Sequence, residues 1–385
     1  MDASQLIRHS IRSDETYRAI LVGHYGSRLH PNKRVQQESL RELFLLSDTA
    51  GVKSMQELFL YLREVNPATF LPSGQIEKIK EMIAAYHINL LIIDSSLKPN
   101  QLKNLEEILN IRVLGRIELI LDIFAYRART RAAALQVELA QLEYILPRLK
   151  GLGGVLSRLG GGIGTRGPGE TMLETDRRHI RRRIQRIKRE LEKVRKHREN
   201  TRKHRSIPTF SIVGYTNAGK SSLLNQLASS SKKVFAEDRL FATLDSFTRK
   251  VYLGENNYKP NYALLTDTVG FIRNLPASLV AAFQSTLEEI TFTDGIIQVQ
   301  DASSPYLEEE MEVVNEELNR LGVAKKPKLL FFNKDDLVFE QTKKELRQKY
   351  PEAIWGNTLS KEGVADLRKA LQASVIDFGK HKIVV

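Results

Sequence analysis

Residues 214–221 read Gly-Tyr-Thr-Asn-Ala-Gly-Lys-Ser, and their flanks constrain the fold more than any other feature of the chain. The run Phe210-Ser211-Ile212-Val213 before them is strand-like, and Ser222-Leu223-Leu224-Asn225-Gln226-Leu227 after them is helix-like. A strand, a Gly-rich turn and a helix N-terminus together aim backbone N–H groups and the helix dipole at an anion. In a phosphate loop of this form Lys220 reaches the terminal phosphates and Ser221 holds Mg²⁺. Gly214, Tyr215, Thr216, Asn217, Ala218, Gly219 and Ser222 complete the cradle. A chance match inside a Gly-containing loop would lack the strand and the helix.

Three further elements follow in order. Asp267-Thr268-Val269-Gly270 closes the apolar run Tyr262-Ala263-Leu264-Leu265. A carboxylate at a strand end can hold the Mg²⁺ shell, and a glycine there lets a backbone N–H approach a γ-phosphate. Asn333-Lys334-Asp335-Asp336 follows the strand-like Lys328-Leu329-Leu330-Phe331-Phe332. The Asp336 carboxylate can accept a pair of hydrogen bonds that guanine supplies and adenine does not. Between them Phe241-Ala242-Thr243-Leu244-Asp245 offers Thr243 as the loop ligand that closes on Mg²⁺. Alone, Asp267 could be a solvated turn residue and Asn333–Asp336 a helix cap. In order, on alternating strands and helices, the four elements predict a guanine-specific P-loop GTPase in which Lys220, Thr243 and Gly270 carry the chemistry. Phe271 stands where many GTPases carry a water-orienting glutamine. An apolar side chain cannot position water, so hydrolysis is expected to be slow without a partner. Asn217 resembles the residue with which some potassium-dependent GTPases bind K⁺; it reads equally as a loop-stabilising Asx turn.

The chain has 385 residues, room for two or three domains, and no cysteine, so disulfides, thiol catalysis and Cys-ligated zinc are excluded. Its eight histidines show no metal-like pairing. The opening Met1-Asp2-Ala3-Ser4-Gln5-Leu6 lacks a basic-then-apolar signal, and no apolar run reaches membrane-spanning length. A cytoplasmic monomer is expected. A net charge of +13 favours a polyanionic partner.

The expected fold is α/β: an N-terminal parallel α/β subdomain (1–116), a long antiparallel helical hairpin (117–205) with a Gly-rich tip loop (151–169), a P-loop GTPase domain with a mostly parallel sheet (206–372), and a short C-terminal tail (373–385). In the first part, strand runs at Ala19–Gly23, Leu58–Tyr61 and Leu90–Asp94 alternate with helical stretches at Glu38–Ala50, Ser73–Tyr86 and Pro99–Leu109. This pattern implies βαβ units. In the hairpin, Leu135, Leu139, Leu142, Leu146 and Leu149 form one heptad seam, and Ile180, Ile184, Ile187, Leu191 and Val194 another. The join, with Gly160-Gly161-Gly162-Ile163-Gly164-Thr165-Arg166-Gly167-Pro168-Gly169, could be a flexible linker. Arg158, Arg166 and Pro168 favour a loop that probes a surface. The second helix carries a dense run of arginines and lysines, among them Arg178, Arg182, Arg186 and Arg189. Only Glu190, Glu192 and Glu199 offset them within that stretch. A solvated face usually alternates signs, so this one reads as a phosphate-backbone surface with salt-dependent binding.

Several motifs resemble those of HflX GTPases. They are Asn66-Pro67-Ala68-Thr69-Phe70 with Ser73-Gly74; Leu119-Ile120-Leu121-Asp122-Ile123-Phe124 with Arg127-Ala128-Arg129-Thr130; Gln136-Val137-Glu138-Leu139-Ala140-Gln141-Leu142; Arg166-Gly167-Pro168-Gly169-Glu170-Thr171 with Leu173-Glu174 and Asp176-Arg177-Arg178; and Phe241-Ala242-Thr243-Leu244-Asp245. The resemblance covers nearly the whole chain. It implies a two-part N-terminal region, a GTPase domain with an apolar residue in place of the catalytic glutamine, and binding to the large ribosomal subunit. Some members split ribosomes and rescue stalled ones, and the glycine-rich tip is implied to reach ribosomal RNA near the peptidyl-transferase centre. Two departures stand out. Asn357-Thr358, followed by Leu359, replaces the usual Ser-Ala of the base-backing loop, and Arg116-Ile117-Glu118 replaces a usual Asp-Arg-Thr. The expected protein is a ribosome-associated GTPase that binds GTP or GDP with Mg²⁺. Its rivals are a GTP-dependent assembly factor without splitting activity and an RNA-binding protein that keeps GTP as a structural ligand.

Overall fold

The computed structural model describes residues 16–26, 32–156, 168–203, 207–228, 240–241, 247–256, 259–273, 287, 289–360 and 363–382. The chain divides into two compact units, one holding Met1–Lys193 with Leu275–Ala282, the other Val194–Asn274 with Phe283–Val385.

The first unit contains a sheet of β1 (Arg18–Tyr25), β2 (Lys53–Tyr61), β3 (Leu90–Ile93) and β4 (Arg112–Gly115), all parallel, in the order β2-β1-β3-β4. The inner strands carry Ala19-Ile20-Leu21-Val22 and Leu90-Leu91-Ile92-Ile93, and each of these side chains is 0% exposed. Continuous apolar runs suit strands covered on both faces. The connections are α1 (Lys33–Thr49), α2 (Ser73–Tyr86) and α3 (Pro99–Leu109). Ile76, Ile79, Leu105 and Leu109 from α2 and α3 pack on Ile20, Val22, Leu91 and Ile93. α1 begins before the expected Glu38 because Asn32 caps it: its side-chain oxygen accepts from the Arg34 N–H at 3.0 Å.

β4 runs into α4 (Arg116–Arg127). Arg116 is buried and pairs with Asp94 at 2.8 Å and with Glu42. Glu118 accepts the Gly115 N–H at 3.1 Å and the Tyr144 hydroxyl; burial pushes its carboxyl up, and the Tyr144 bond opposes that shift. Two long helices follow, α5 (Arg131–Leu156) and α6 (Pro168–Lys203). Their apolar seams meet in one cluster of Leu135, Leu139, Leu142, Leu149, Ile180, Ile184 and Ile187, flanked by Leu146 and Leu191. Ion pairs cross between the helices, Arg183 with Glu138 at 2.6 Å and Lys188 with Glu143 at 2.8 Å. The helices extend into the join expected at 151–169, and residues 157–167, with Arg158 and Arg166, lie outside the described residues. Ile187 is 0% exposed. Ile187→Ala is therefore expected to destabilise the first unit by about 2–5 kcal/mol, read as a shift of its urea-unfolding transition. A shift below about 0.5 kcal/mol, the range of surface substitutions, would show that the seam is not core.

The second unit is built on a sheet in the order β10-β9-β8-β5-β7-β6. Its strands are β5 (Thr209–Gly214), β6 (Phe247–Asn256), β7 (Lys259–Asp267), β8 (Gly295–Asp301), β9 (Lys328–Asn333) and β10 (Ile354–Trp355). Among the described residues of this sheet only the β6–β7 pairing is antiparallel. The helices include α7 (Lys220–Leu227), α8 (Leu307–Arg320), α9 (Glu340–Lys349) and α10 (Val364–Lys382). Phe210, Ile212, Leu265, Ile297, Val299 and Phe331 pack against Leu223, Leu224 and Leu227 of α7 and Leu367 and Leu371 of α10. Residues 373–382 continue α10, and Val375 joins this core.

Candidate nucleotide site

In an open parallel sheet, ligands gather beyond the carboxyl ends of the strands, where the order reverses. β5 pairs in parallel with both β7 and β8, and each neighbouring strand end delivers one motif. Gly214 ends β5, Asp267 ends β7, Asn333 ends β9, and 356–359 follow β10. Register places Ile212 opposite Asp267 and Asp301 opposite Asn333. The sheet thus brings together residues spread over nearly 150 positions of sequence.

Within the phosphate loop, Gly219 has φ +95°, and a Cβ there would lie 2.1 Å from the Asn333 side-chain nitrogen. Only glycine satisfies both the backbone and the space. Lys220 is buried, and its ammonium donates to the Tyr215 carbonyl at 2.7 Å. Burial pushes this lysine down to about 8, and the Asp267 carboxylate opposes that. The Ser221 hydroxyl donates to Asp267 Oδ2 at 2.6 Å. A hydroxyl and a fully buried carboxylate converging in this way are hard oxygen donors of the kind that Mg²⁺ takes, so the residues present fit that ion. Thr268 donates its hydroxyl to the Ile212 carbonyl at 2.7 Å and Val269 is buried, which leaves their backbones for any ligand contact. Phe271 is 3% exposed, packed away from water.

Asn333 is a strut. Its side-chain nitrogen donates to the Ala218 carbonyl at 2.9 Å, and its oxygen accepts the Thr358 N–H at 3.0 Å. It therefore locks the phosphate loop to the loop in which Asn357-Thr358 replaces Ser-Ala. There the Asn357 oxygen accepts the Leu359 N–H at 2.7 Å, while the Leu359 side chain is exposed. Lys334 pairs with Asp301 at 2.7 Å and Asp335 with Lys343 at 3.0 Å. Asp336 is exposed and makes no ion pair with a described residue. It caps no helix, since Lys334 precedes the short 3₁₀ turn Asp335–Leu337. Asn217 has a left-handed backbone (φ 63°) and its side chain makes no hydrogen bond to a described residue, against the Asx-turn reading. Phe241 is buried; Ala242, Thr243, Leu244 and Asp245 lie outside the described residues. Residue patterns did not reveal the strut formed by Asn333, nor a bond from the Arg273 N–H to the Tyr215 hydroxyl at 3.1 Å.

Comparison with known proteins decides the family. Residues 37–125 match the family described as GTP-binding GTPase N-terminal, 127–205 its middle region, and 209–334 the family described as 50S ribosome-binding GTPase. GTPase HflX of Caldanaerobacter subterraneus is 48% identical over 305 residues, covering 78% of this chain and 70% of the relative. GTPase HflX of Escherichia coli is 40% identical over 365 residues, covering 94% and 83%. The chain belongs to the HflX family of GTPases. Among solved structures, that of SsGBP in complex with GDP covers 94% of this chain and 99% of its own, at 27% identity and a TM-score of 0.53. Like other HflX proteins, this one is a GTP-hydrolysing enzyme built on a P-loop sheet. No helix among the described residues is long and apolar enough to cross a membrane.

Proposed function

We propose that this HflX protein is a cytoplasmic nucleotide switch that acts, as a monomer, on the large ribosomal subunit and its RNA, splitting or rescuing stalled ribosomes. The observation that carries the partner is the exposed basic face of α6. Arg178, Arg182 and Arg189 are exposed and make no ion pair with a described residue, whereas Arg183 and Lys188 are neutralised by Glu138 and Glu143 of α5. Charge held out in this way suits a phosphate backbone. Arg186, 73% exposed while it pairs with Glu190 at 3.4 Å, extends the face. Arg158 and Arg166 would add contacts from the tip. The name of the matching family, 50S ribosome-binding GTPase, supports the same partner.

In the G domain, the N–H groups of the loop from Asn217 to Ser222 would cradle the phosphates of GTP or GDP, with Lys220 on the terminal ones, while the Thr216 N–H is held by the Phe271 carbonyl. Ser221, Asp267 and Thr243 would hold Mg²⁺, which when bound neutralises phosphate charge. The Gly270 N–H would meet the γ-phosphate, Asp336 would read guanine, and Asn357 to Leu359 would back the base. Asn217, with its side chain uncommitted, is the residue on which a K⁺ requirement would rest. Hydrolysis is slow alone because buried Phe271 orients no water, and the ribosome supplies what is missing. Hydrolysis then relaxes the loops and releases the protein.

Sedimentation with ribosomes, with GDP or a non-hydrolysable GTP analogue, tests this. Co-sedimentation with large subunits is expected with the analogue and not with GDP. Charge reversal of Arg182, Arg186 and Arg189 should weaken binding broadly and flatten its salt slope by roughly 2–3. A variant with wild-type affinity and slope would remove α6 from the interface.

A further inference from the structure

A phosphate loop grips anions with backbone N–H groups, so the side chain at its second position is free for another use. Here it is Tyr215, 5% exposed, whose hydroxyl accepts the Arg273 N–H at 3.1 Å. Two more bonds join the same segments. The Phe271 N–H donates to the Gly214 carbonyl at 3.1 Å, and the Thr216 N–H donates to the Phe271 carbonyl at 2.9 Å. They form a parallel bridge between Tyr215 and Phe271. Phe271 and Ile272 are each 3% exposed, so burial anchors what the hydrogen bonds align. Gly270 is thereby pressed inward: a Cβ on it would lie 2.8 Å from Lys220 Nζ and 2.9 Å from Thr216.

We infer that Tyr215 is a positioning residue: its hydroxyl clasps Gly270–Arg273 onto the phosphate loop and biases the site toward GDP over GTP. For the Gly270 N–H to swing onto a γ-phosphate, the bridge to Gly214 and Thr216 has to open. The inference rests on the proposed role of Gly270 as the γ-phosphate contact. A ligand shifts a two-state element only by its differential affinity for the two states. Each bond of the clasp therefore weakens GTP and leaves GDP alone. Phe271 gains a positive role as well, since a buried aromatic holds the clasp where a glutamine would be drawn to water.

Full-length Tyr215→Phe keeps the ring and loses the hydroxyl. Titrated with fluorescent GDP and a fluorescent non-hydrolysable GTP analogue, it should shift the ratio of the two dissociation constants toward the analogue by about 3- to 10-fold, the effect of one net hydrogen bond. GDP affinity should stay near wild type, and the melting temperature with GDP bound should fall by only the roughly 2–4 °C that about 1 kcal/mol is worth. An unchanged ratio, or equal loss of both affinities, overturns the inference. Amide exchange on the wild-type protein tests it independently of that variant. The Thr216, Phe271 and Arg273 amides should exchange at least 10-fold faster with the analogue than with GDP, as expected when their bonds open. Equal protection in both states, with Gly270 protected by the analogue, means that the clasp does not open and the inference fails. If Gly270 itself gains no protection from the analogue, the γ-phosphate role proposed for it fails first.

Discussion

Asp336→Asn should lower GTP affinity by about 100-fold or more and raise affinity for xanthosine triphosphate. Guanine presents a pair of donors on the edge that a carboxylate can face, and an amide meets one of them with its own donor. Losing one charge-assisted hydrogen bond costs roughly 1.5–3 kcal/mol, and the guanine donor left facing another donor adds about 1–3 kcal/mol, so the total is about 2.5–6 kcal/mol. Xanthine carries an acceptor where guanine carries a donor, which matches the amide. The neighbours sharpen the test. Asn333 is spent on Ala218 and Thr358, Lys334 on Asp301, and Asp335 on Lys343. Asp335→Asn should therefore leave base choice untouched. Equilibrium binding of both nucleotides to both variants decides; Asp336→Asn with GTP affinity within about 3-fold of wild type, under 1 kcal/mol, would reassign the base-reading residue.

What could be read from the residues was what is local or periodic. The phosphate loop, the strand ends and the alternation of the N-terminal sheet are written in runs of a few positions. The leucine and isoleucine seams of α5 and α6 repeat every turn or two, and they do meet. β4 escaped because Arg112–Gly115 is too short to show a period. β6 escaped because its antiparallel pairing with β7, with the Thr248–Thr266 contact, makes a sheet edge that apolar alternation does not announce. The neutralising Glu138 and Glu143 lie some 45 residues from their partners, so charge counted along α6 alone overstated its open positive face. The Tyr215 clasp involves the backbone N–H of Arg273, and a backbone group leaves no mark in a pattern of side chains.

Lys220 should make nucleotide binding pH-dependent in the mildly alkaline range. Desolvation holds its ammonium at about 8, below the ordinary 10.5, in the protein without nucleotide. A bound polyphosphate favours the charged form and raises that value, so binding takes up a proton once the pH exceeds about 8. Nucleotide affinity should then fall by as much as tenfold per pH unit above 8, where linkage is complete. Stability runs the other way. Between about 8 and 10.5 the unfolded chain holds the proton that the folded chain has lost, so this lysine's destabilising contribution shrinks as pH rises through that window. Lys220→Met keeps the length and removes the charge. Without nucleotide it should be more stable than wild type at pH 7 by up to about 3 kcal/mol, at roughly 1.4 kcal/mol per pKa unit, with the gap closing toward pH 10. With GTP it should lose at least 100-fold in turnover, since a preorganised donor to developing phosphate charge is typically worth 10²–10³. Melting curves and single-turnover rates across pH 7–9.5 measure both. A variant that hydrolyses GTP at the wild-type rate would mean that Lys220, held on the Tyr215 carbonyl, never turns to the phosphates.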